Sequence, residues 1–366
     1  MKPSSFLPLY EKLEALVNKL PAGLQQPILR EITPIKTLFL MQRPPRLVLV
    51  GPNGAGKAEL LATLFGDEVF RPGEENLSDH HWQTIGRTGR GSLRLLDARR
   101  PASLPLLREA LTQEPPDLFL FARPAGPIDD SLGADLDHAV QLLPIVTPKE
   151  GPSPKLMGLL LPGASGDTEA ARQELHAVLH TRPELSARMV GTLALHGDAA
   201  GQRLAELVAI ELPAEAQLEM ARLSSNRALQ KQIAQVVIKS VTAICTAIGA
   251  QPIPLADFPI LTSLQATMVA GIMHISGREM SAKLAAEFMT AVGANVGLGL
   301  ALREGARAAV KFLPGWGNAI SGAVAGAGTY SIGHAAVAYF IEGVSIKDAR
   351  SIFQHSKKEA PLLKDR

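Results

Sequence analysis

The chain has 366 residues, 37 Lys and Arg against 35 Asp and Glu, and a single cysteine. This length is sufficient for two or three domains with separate cores, and one cysteine excludes an internal disulfide framework and favours a reducing, cytoplasmic compartment. Residues 1–45 hold 6 basic and 3 acidic side chains, residues 46–211 hold 16 and 22, and residues 212–366 hold 15 and 10. Basic flanks without interleaved aromatic residues suit an anionic membrane surface and do not indicate a nucleic acid partner.

Two amphipathic helices are predicted before residue 45. Apolar residues recur at helical spacing from Leu9 to Leu20 and, after the "LPAG" break, from Ile28 to Phe39. This periodicity of three and four is typical of helices that bury one face. We therefore expect a helical arm over residues 1–45.

The segment that follows predicts a phosphate-binding loop between a strand and a helix. The apolar run "RLVLV" leads into "GPNGAGKAEL", which fits the pattern G-x-x-x-x-G-K-[ST] except at its last position. Amide groups at the head of a helix form a nest for anions, and the lysine adds a point charge. The expected phosphate-binding residues are Gly51, Asn53, Gly54, Ala55, Gly56, Lys57 and Ala58. Because Ala58 has no hydroxyl, any binding of Mg²⁺ lacks the oxygen that this position usually supplies.

Strands and helices are predicted to alternate through the acidic middle of the chain. Further strands are expected at 81–87, 92–97, 117–122, 155–161 and 189–197, and helices at 103–112, 131–142, 167–180 and 199–210. Alternation of this kind predicts a mainly parallel sheet that is covered on both faces, with ligands at the carboxyl ends of its strands. We expect an α/β P-loop domain over residues 46–211.

Asp97 is the candidate metal-binding carboxylate. It ends the strand "SLRLLD" forty positions after Lys57. That interval is typical of the second acidic motif of small GTPases, whereas the equivalent carboxylate of transporter-type ATPases lies much further along the chain. The spacing therefore favours a GTPase-like topology.

After residue 211 the strand signals stop and an all-α domain is predicted over 212–366, with long apolar helices at 240–256, 258–277 and 312–341. Residues 312–341 carry no formal charge, and this segment is long enough to span a membrane. Its alanine, glycine and polar residues nevertheless make its transfer into lipid marginal. Small residues four apart, such as Gly322 and Gly326, allow helices to approach closely in a membrane or in a soluble bundle. Cys245 is expected in the core, and His334 as a packed polar residue.

The run from "LPAGLQQPILREITPIKTLFL" through "RLVLVGPNGAGKAELLATLFG" resembles the entry to Era-like bacterial GTPases of the translation-factor class. The tail segments "QPIPLADFPILTSLQATMVAGIMHISGREM" and "LPGWGNAISGAVAGAGTYSIGHAAVAYFIEG" are similar to the YcjF-like C-terminal domain of unknown function that some of them carry. The resemblance implies a guanine-nucleotide switch with GTP or GDP as ligand.

The chain departs from that family at three of its motifs. In the DxxG motif Asp97 matches, but Arg100 stands in place of the glycine. The guanine-reading NKxD position reads "PGAS" at 162–165, and "LHGD" at 195–198 replaces a serine-alanine motif. The resemblance thus implies a degenerate GTPase with weakened metal and base recognition.

Several polar residues near the loop have two interpretations. The switch threonine is Thr84 or Thr88, or neither if both are strand or turn residues. Arg99 and Arg100 form a phosphate clamp in place of the metal, or lie in a solvent-facing turn. The pair His80 and His81 is expected to be a solvated loop, because no second cluster has the spacing of metal ligands.

Three functions fit these observations. The first is a pseudo-GTPase, a nucleotide-binding regulatory or scaffold protein, either cytoplasmic or at the inner face of a membrane. The second is an active GTPase that uses Lys57 and Asp97 with a rearranged metal site. The third is a structural module that does not bind nucleotide and self-associates or binds a protein partner through its helical tail.

Overall fold

The computed structural model describes residues 22–52, 57–65, 81–87, 90–99, 103–124, 130–146, 153–162, 168–197, 199–250, 257–293 and 317–359, with a few isolated positions besides. They form two compact units, one made of residues 43–226 and the other of residues 1–42 with 227–366.

The first unit is an α/β unit with six described strands. These are β1 (Arg46–Val50), β2 (Gln83–Arg87), β3 (Gly91–Asp97), β4 (Leu118–Pro124), β5 (Lys155–Leu161) and β6 (Met189–Ala194). Their order in the sheet is β2-β3-β1-β4-β5-β6, and only β2 runs antiparallel to its neighbour. The expected mainly parallel sheet is confirmed, and each predicted strand lies within three residues of its observed bounds.

Helices connect these strands and follow the last one. They are α2 (Lys57–Phe65), α3 (Leu104–Gln113), α4 (Asp130–Leu142), α5 (Thr168–Leu179), the short α6 (Pro183–Ser186), α7 (Ala200–Glu211) and α8 (Ala214–Ser224). A 3₁₀ turn, Leu143–Val146, extends α4.

The sheet is covered on both faces, as alternating elements require. Val48 and Val50 of β1 share a buried core with apolar residues of α3, α4 and α5. Leu47 and Leu49 alternate with them, are also fully buried, and therefore point to the opposite face. Helix α2 packs against α7 and α8, and α8 packs against β3. A sheet that is buried on both faces explains why β1, β4 and β5 are near-continuous apolar runs.

Close approach of α7 to α2 depends on Gly201. A Cβ atom at this position would lie 2.1 Å from the carbonyl oxygen of Thr63 in α2. Only a residue without a side chain fits at that distance. This contact fixes α7 over the helix that begins at Lys57.

The second unit is helical throughout its described residues. Its helices are α1 (Ala22–Phe39), α9 (Arg227–Gly249), α10 (Asp257–Ile275), α11 (Ala282–Ala291), α12 (Gly317–Val337) and α13 (Ile346–Glu359), and a π-helical turn, Ala338–Glu342, extends α12. Helix α1 begins six residues before the predicted Ile28 and contains two prolines, at positions 27 and 34. It packs against α9, so the N-terminal segment belongs with the C-terminal helices.

Small residues bring α12 close to α9, as the sequence predicts. A Cβ atom at Gly322 would lie 2.9 Å from the carbonyl oxygen of Thr246, and one at Gly326 would lie 2.2 Å from its hydroxyl. Cys245 is fully buried here, and burial raises the pKa of its thiol to about 12. His334 packs against Tyr330 with ring centroids 4.2 Å apart.

Among the described helices, α9 alone is long and apolar enough to cross a bilayer, and 56% of its most apolar window is buried within the protein. The predicted apolar segments at 258–277 and 312–341 correspond to α10 and α12. Membrane association stays a prediction.

Candidate functional site

The candidate site lies at the carboxyl edge of the sheet, beyond β1. In the sheet β1 lies between β3 and β4, and the chain leaves β1 and β4 toward opposite sides. The carboxyl ends of two such strands border the crevice where open α/β sheets bind ligands. The predicted phosphate loop begins at this position.

Gly51 directly follows β1 in a conformation that suits glycine. Its φ is +131°, and a Cβ atom would lie 2.2 Å from the carbonyl oxygen of Ala122 in β4. The chain therefore leaves β1 pressed against its neighbouring strand. The next predicted loop residues, Asn53, Gly54, Ala55 and Gly56, lie outside the described residues.

Lys57 is the first residue of α2 and is only 6% exposed. Its Nζ donates a hydrogen bond to Oε1 of Gln83 on β2 at 3.1 Å and lies 3.7 Å from Oδ2 of Asp97. The pKa of Lys57 is lowered because burial disfavours its charge and the nearby Arg99 adds to this, and together they outweigh the attraction of Asp97. Ala58 follows half-buried in the first turn of α2, with no side-chain oxygen.

Asp97 ends β3 and both its carboxylate oxygens are bound by Arg99. The Nε of Arg99 donates to Oδ1 at 2.8 Å and Nη2 donates to Oδ2 at 2.7 Å, while the Arg99 amide lies 3.3 Å from Oδ1. The side chains are 5% and 8% exposed. Such a two-point contact is the strongest pairing that a carboxylate makes with a protein cation. Arg99 is therefore not in a solvent-facing turn.

The backbone beyond Asp97 is held by the neighbouring strand β1 and by helix α4. The amide of Ala98 donates to the carbonyl oxygen of Leu49 at 2.8 Å, which extends the β1–β3 ladder past the end of β3. The carbonyl oxygen of Ala98 lies 2.9 Å from Nε2 of the buried His138 on α4, and since a carbonyl only accepts, Nε2 is the donor. These two bonds place Asp97 beside Lys57.

Mg²⁺ does not fit the oxygen donors that the described residues supply. Ala58 has no side-chain oxygen, and the two carboxylate oxygens of Asp97 already accept hydrogen bonds from Arg99. A hard cation of this kind needs several oxygen ligands in octahedral geometry. Within the described ranges, no group of three or more His, Cys, Asp or Glu side chains has the geometry to hold a metal ion.

The other predicted residues lie on or just before β2, or outside the described residues. Thr84 lies exposed on β2, where its hydroxyl is 3.4 Å from Nη1 of Arg94, and His81 is exposed just before that strand. Thr88, His80 and Arg100 lie outside the described residues. So do residues 163–165 of the "PGAS" segment and Asp198 of the "LHGD" segment.

The sequence gives no signal for two of the contacts at this site. Gln83 contacts Lys57 although 26 residues separate them, and His138 reaches Ala98 across 40 residues. A lone glutamine on an edge strand and a lone histidine on an amphipathic helix have no diagnostic spacing. Only the packing of β2 and α4 beside the loop brings them there.

The three buried charged groups of Lys57, Asp97 and Arg99 predict a dependence of stability on pH. Burial alone would raise the pKa of Asp97, but the hydrogen bonds and charge of Arg99, with the charge of Lys57, bring it below its ordinary value of 3.8. A carboxylate whose pKa is depressed by folding stabilises the fold above its unfolded pKa, and this stabilisation is lost as the pH falls from about 4 through the folded value. We expect the free energy of unfolding, measured with urea, to fall less on acidification below about pH 4 for the variant Asp97→Asn/Arg99→Gln than for the wild type. Equal decreases for the two proteins would contradict a stabilising role of the ionised Asp97 carboxylate.

A scan of the chain against models of protein families finds no match, and a search of curated proteins finds no significant match.

Proposed function

We propose that the α/β unit binds the polyphosphate of a nucleotide, in GTPase-like fashion, without efficient hydrolysis, and that the protein acts as a regulatory or scaffold component. The observation that carries this proposal is the buried Lys57 at the start of α2, the helix that follows β1 and Gly51 in the chain. A buried lysine amine beside a helix N-terminus attracts phosphate more strongly than it would in water.

The sheet is compatible with a nucleotide-binding α/β architecture. Its six described strands are mainly parallel in the order β2-β3-β1-β4-β5-β6, and the order reverses beside β1, where open α/β sheets bind ligands. Asp97 lies at the end of the third strand, 3.7 Å from the loop lysine. Fold likeness alone does not establish activity, and turnover depends on the groups present at the site.

Slow or absent hydrolysis follows from the groups that the site has lost. Ala58 supplies no metal ligand, Arg99 engages the carboxylate of Asp97, and Arg100 replaces the glycine that reads the terminal phosphate. Loss of one contact made in the transition state slows an enzyme by about 10²–10³-fold. With three such losses, we expect no turnover that is measurable above the buffer reaction.

The test of this proposal is a turnover assay with GTP and Mg²⁺. We expect the full-length protein to release phosphate no faster than buffer, and Lys57→Ala to behave in the same way. Turnover in the wild type that Lys57→Ala abolishes and the exposed control Lys155→Ala retains would contradict it and favour an active GTPase. GTP, GDP and ATP titrated in parallel by calorimetry report base preference, which we expect to be weak because the NKxD motif is missing.

One observation favours a second candidate, a structural module that binds no nucleotide. The amine of Lys57 already contacts Gln83 and Asp97, and these contacts alone give the buried charge a structural role. Absence of heat from GTP, GDP and ATP, with and without Mg²⁺, would favour this second function.

A further inference from the structure

The carboxylate of Asp97 is neutralised by an arginine of the same chain. In a metal-dependent phosphate site, a buried carboxylate next to polyphosphate is tolerated because a divalent cation lies between the two negative groups. Here the guanidinium of Arg99 binds both oxygens of Asp97 at 2.7 and 2.8 Å, and both side chains are less than a tenth exposed. The counter-charge is thus part of the protein.

Lys57 shares the same carboxylate and is less well compensated. Its direct hydrogen bond goes to the neutral amide oxygen of Gln83, and its distance to Asp97 is 3.7 Å, beyond hydrogen-bonding range. The desolvated amine therefore faces a carboxylate that is already paired with a second cation. An additional anion at this position would restore the balance of charge.

We propose that Arg99 takes the electrostatic role of Mg²⁺, so that this site binds the polyphosphate of a nucleotide free of metal. This inference rests on the proposed function and adds the form of the ligand. It also assigns Arg99 as a positioning residue, which acts by neutralising Asp97 and has no need to touch the phosphates. The ligand class is a triphosphate or diphosphate chain with its full negative charge.

The effect of Mg²⁺ on affinity follows from this assignment. Complexation with Mg²⁺ lowers the net negative charge of the polyphosphate by two. Within the described residues the ion finds no group of three or more His, Cys, Asp or Glu ligands, and the oxygens of Asp97 are already bound by Arg99. The electrostatic attraction between the polyphosphate and Lys57 is therefore weakened, without a compensating metal–protein bond. Binding is therefore tighter in EDTA than in Mg²⁺, which is the reverse of a metal-dependent site.

The experiment is a calorimetric titration of GTP and of inorganic triphosphate into the full-length protein, in EDTA and in excess Mg²⁺. We expect the wild type to bind both ligands more tightly in EDTA than in Mg²⁺, and equal affinity in the two conditions would contradict the inference. Arg99→Gln leaves the charge of Asp97 facing the phosphates, so metal-free affinity falls by at least about tenfold, and Mg²⁺ now improves binding. The triphosphate arm separates recognition of the phosphate chain from recognition of the nucleoside.

The double variant Asp97→Asn/Arg99→Gln separates two roles for Arg99. If Arg99 acts by neutralising Asp97, removal of both charges restores most of the metal-free affinity. If Arg99 contacts the phosphates directly, the double variant binds as poorly as the single one, and the assignment is wrong. The double variant also protects the test against a single variant that does not fold, because it removes both charges of the Asp97–Arg99 pair and leaves no unpaired carboxylate.

An exposed ion pair provides the matched control. Nε of Arg182 donates to Oδ1 of Asp137 at 2.9 Å on the surface of the same unit. Arg182→Gln and Asp137→Asn/Arg182→Gln make the same changes in charge away from the site. Both are expected to bind GTP like the wild type in either condition.

The outcomes distinguish this inference from the proposed function. If neither GTP nor triphosphate binds in EDTA or in Mg²⁺, the proposed function fails and the inference falls with it. If both bind only when Mg²⁺ is present, the proposed function stands and the inference alone is wrong. Tighter binding in EDTA, with a reversed effect of Mg²⁺ in Arg99→Gln, supports both.

Discussion

Replacing Arg99 by glutamine is expected to lower the free energy of unfolding of the α/β unit by about 3–5 kcal/mol. The carboxylate of Asp97 would stay buried, 5% exposed, with Lys57 at 3.7 Å as its nearest remaining cation. Removal of Arg99 takes away both side-chain hydrogen bonds of a carboxylate that stays out of solvent, and Lys57 replaces only part of the lost attraction, which is more costly than the intact pair. The loss should therefore exceed what deletion of any surface charge produces.

The measurement is urea unfolding followed by tryptophan fluorescence in a Trp316→Phe background. The chain has two tryptophans, and the second, Trp82, packs beside the core of the α/β unit and donates to the carbonyl oxygen of Ala110 at 3.0 Å. Its signal thus reports on this unit. Arg182→Gln, at an exposed pair, should cost at most about 1 kcal/mol. A similarly small loss of unfolding free energy for Arg99→Gln would show that the Asp97–Arg99 pair does not stabilise this end of β3.

Replacing Gly51 by alanine is expected to cost about 3 kcal/mol or more, because two unfavourable effects act at one position. A φ of +131° is strained for any residue with a side chain, at about 1–3 kcal/mol. The added methyl group would also lie 2.2 Å from a backbone oxygen of β4, which cannot rotate away, and overpacking of this kind adds about 1–3 kcal/mol. The strand β1 must shift, and the entry to the loop shifts with it.

Two glycines in the same unit separate these effects. Gly197 has a φ of +82° with nothing within 4 Å of an added Cβ, so Gly197→Ala tests strain alone and should cost about 1–2 kcal/mol. Gly133, inside α4, has ordinary helical geometry and open space, so Gly133→Ala should raise stability by about 0.5–1 kcal/mol. Thermal or urea unfolding of the three variants gives the comparison. If Gly51→Ala lowers the free energy of unfolding no more than Gly197→Ala does, the close contact of Gly51 with β4 contributes nothing to the effect.

Much of the α/β unit is predictable because parallel strands buried on both faces leave a simple trace in the sequence. Uninterrupted apolar runs bounded by charged or glycine-rich segments mark β1, β4 and β5, and helical periodicity marks α4 and α7. The bounds shift by only a few residues, since neither pattern depends on distant contacts.

The grouping of the terminal helices was less accessible to sequence reasoning. Composition changes near residue 211, and the all-α domain is expected to begin there. Helix α8, Ala214–Ser224, nevertheless lies in the α/β unit, where its buried Leu218 and Met220 pack in the core and Glu219 accepts a hydrogen bond from the amide of Ser92 on β3 at 2.9 Å. The unit against which an amphipathic helix packs is determined by side-chain complementarity with that unit. The apolar periodicity of the helix is the same whichever unit it joins.

The sequence nominates candidate site residues and does not predict how their side chains pair. The motif makes Lys57 a candidate, and the interval of forty residues to the end of β3 makes Asp97 a second one. The two-residue spacing of Asp97 and Arg99 leaves open whether the guanidinium turns back to the carboxylate or points to solvent. The backbone of Ala98, held by Leu49 and His138, decides this, and no local pattern encodes those bonds.

The most direct measurement is calorimetric titration of GTP in EDTA into the wild type, Lys57→Ala and Lys155→Ala. Lys155 is an exposed lysine at the start of β5, paired with Glu211, and serves as the control for loss of one positive charge. We expect binding to the wild type and to Lys155→Ala, and loss of binding in Lys57→Ala. Binding that survives in Lys57→Ala, or its absence from the wild type, would contradict a polyphosphate site at the head of α2.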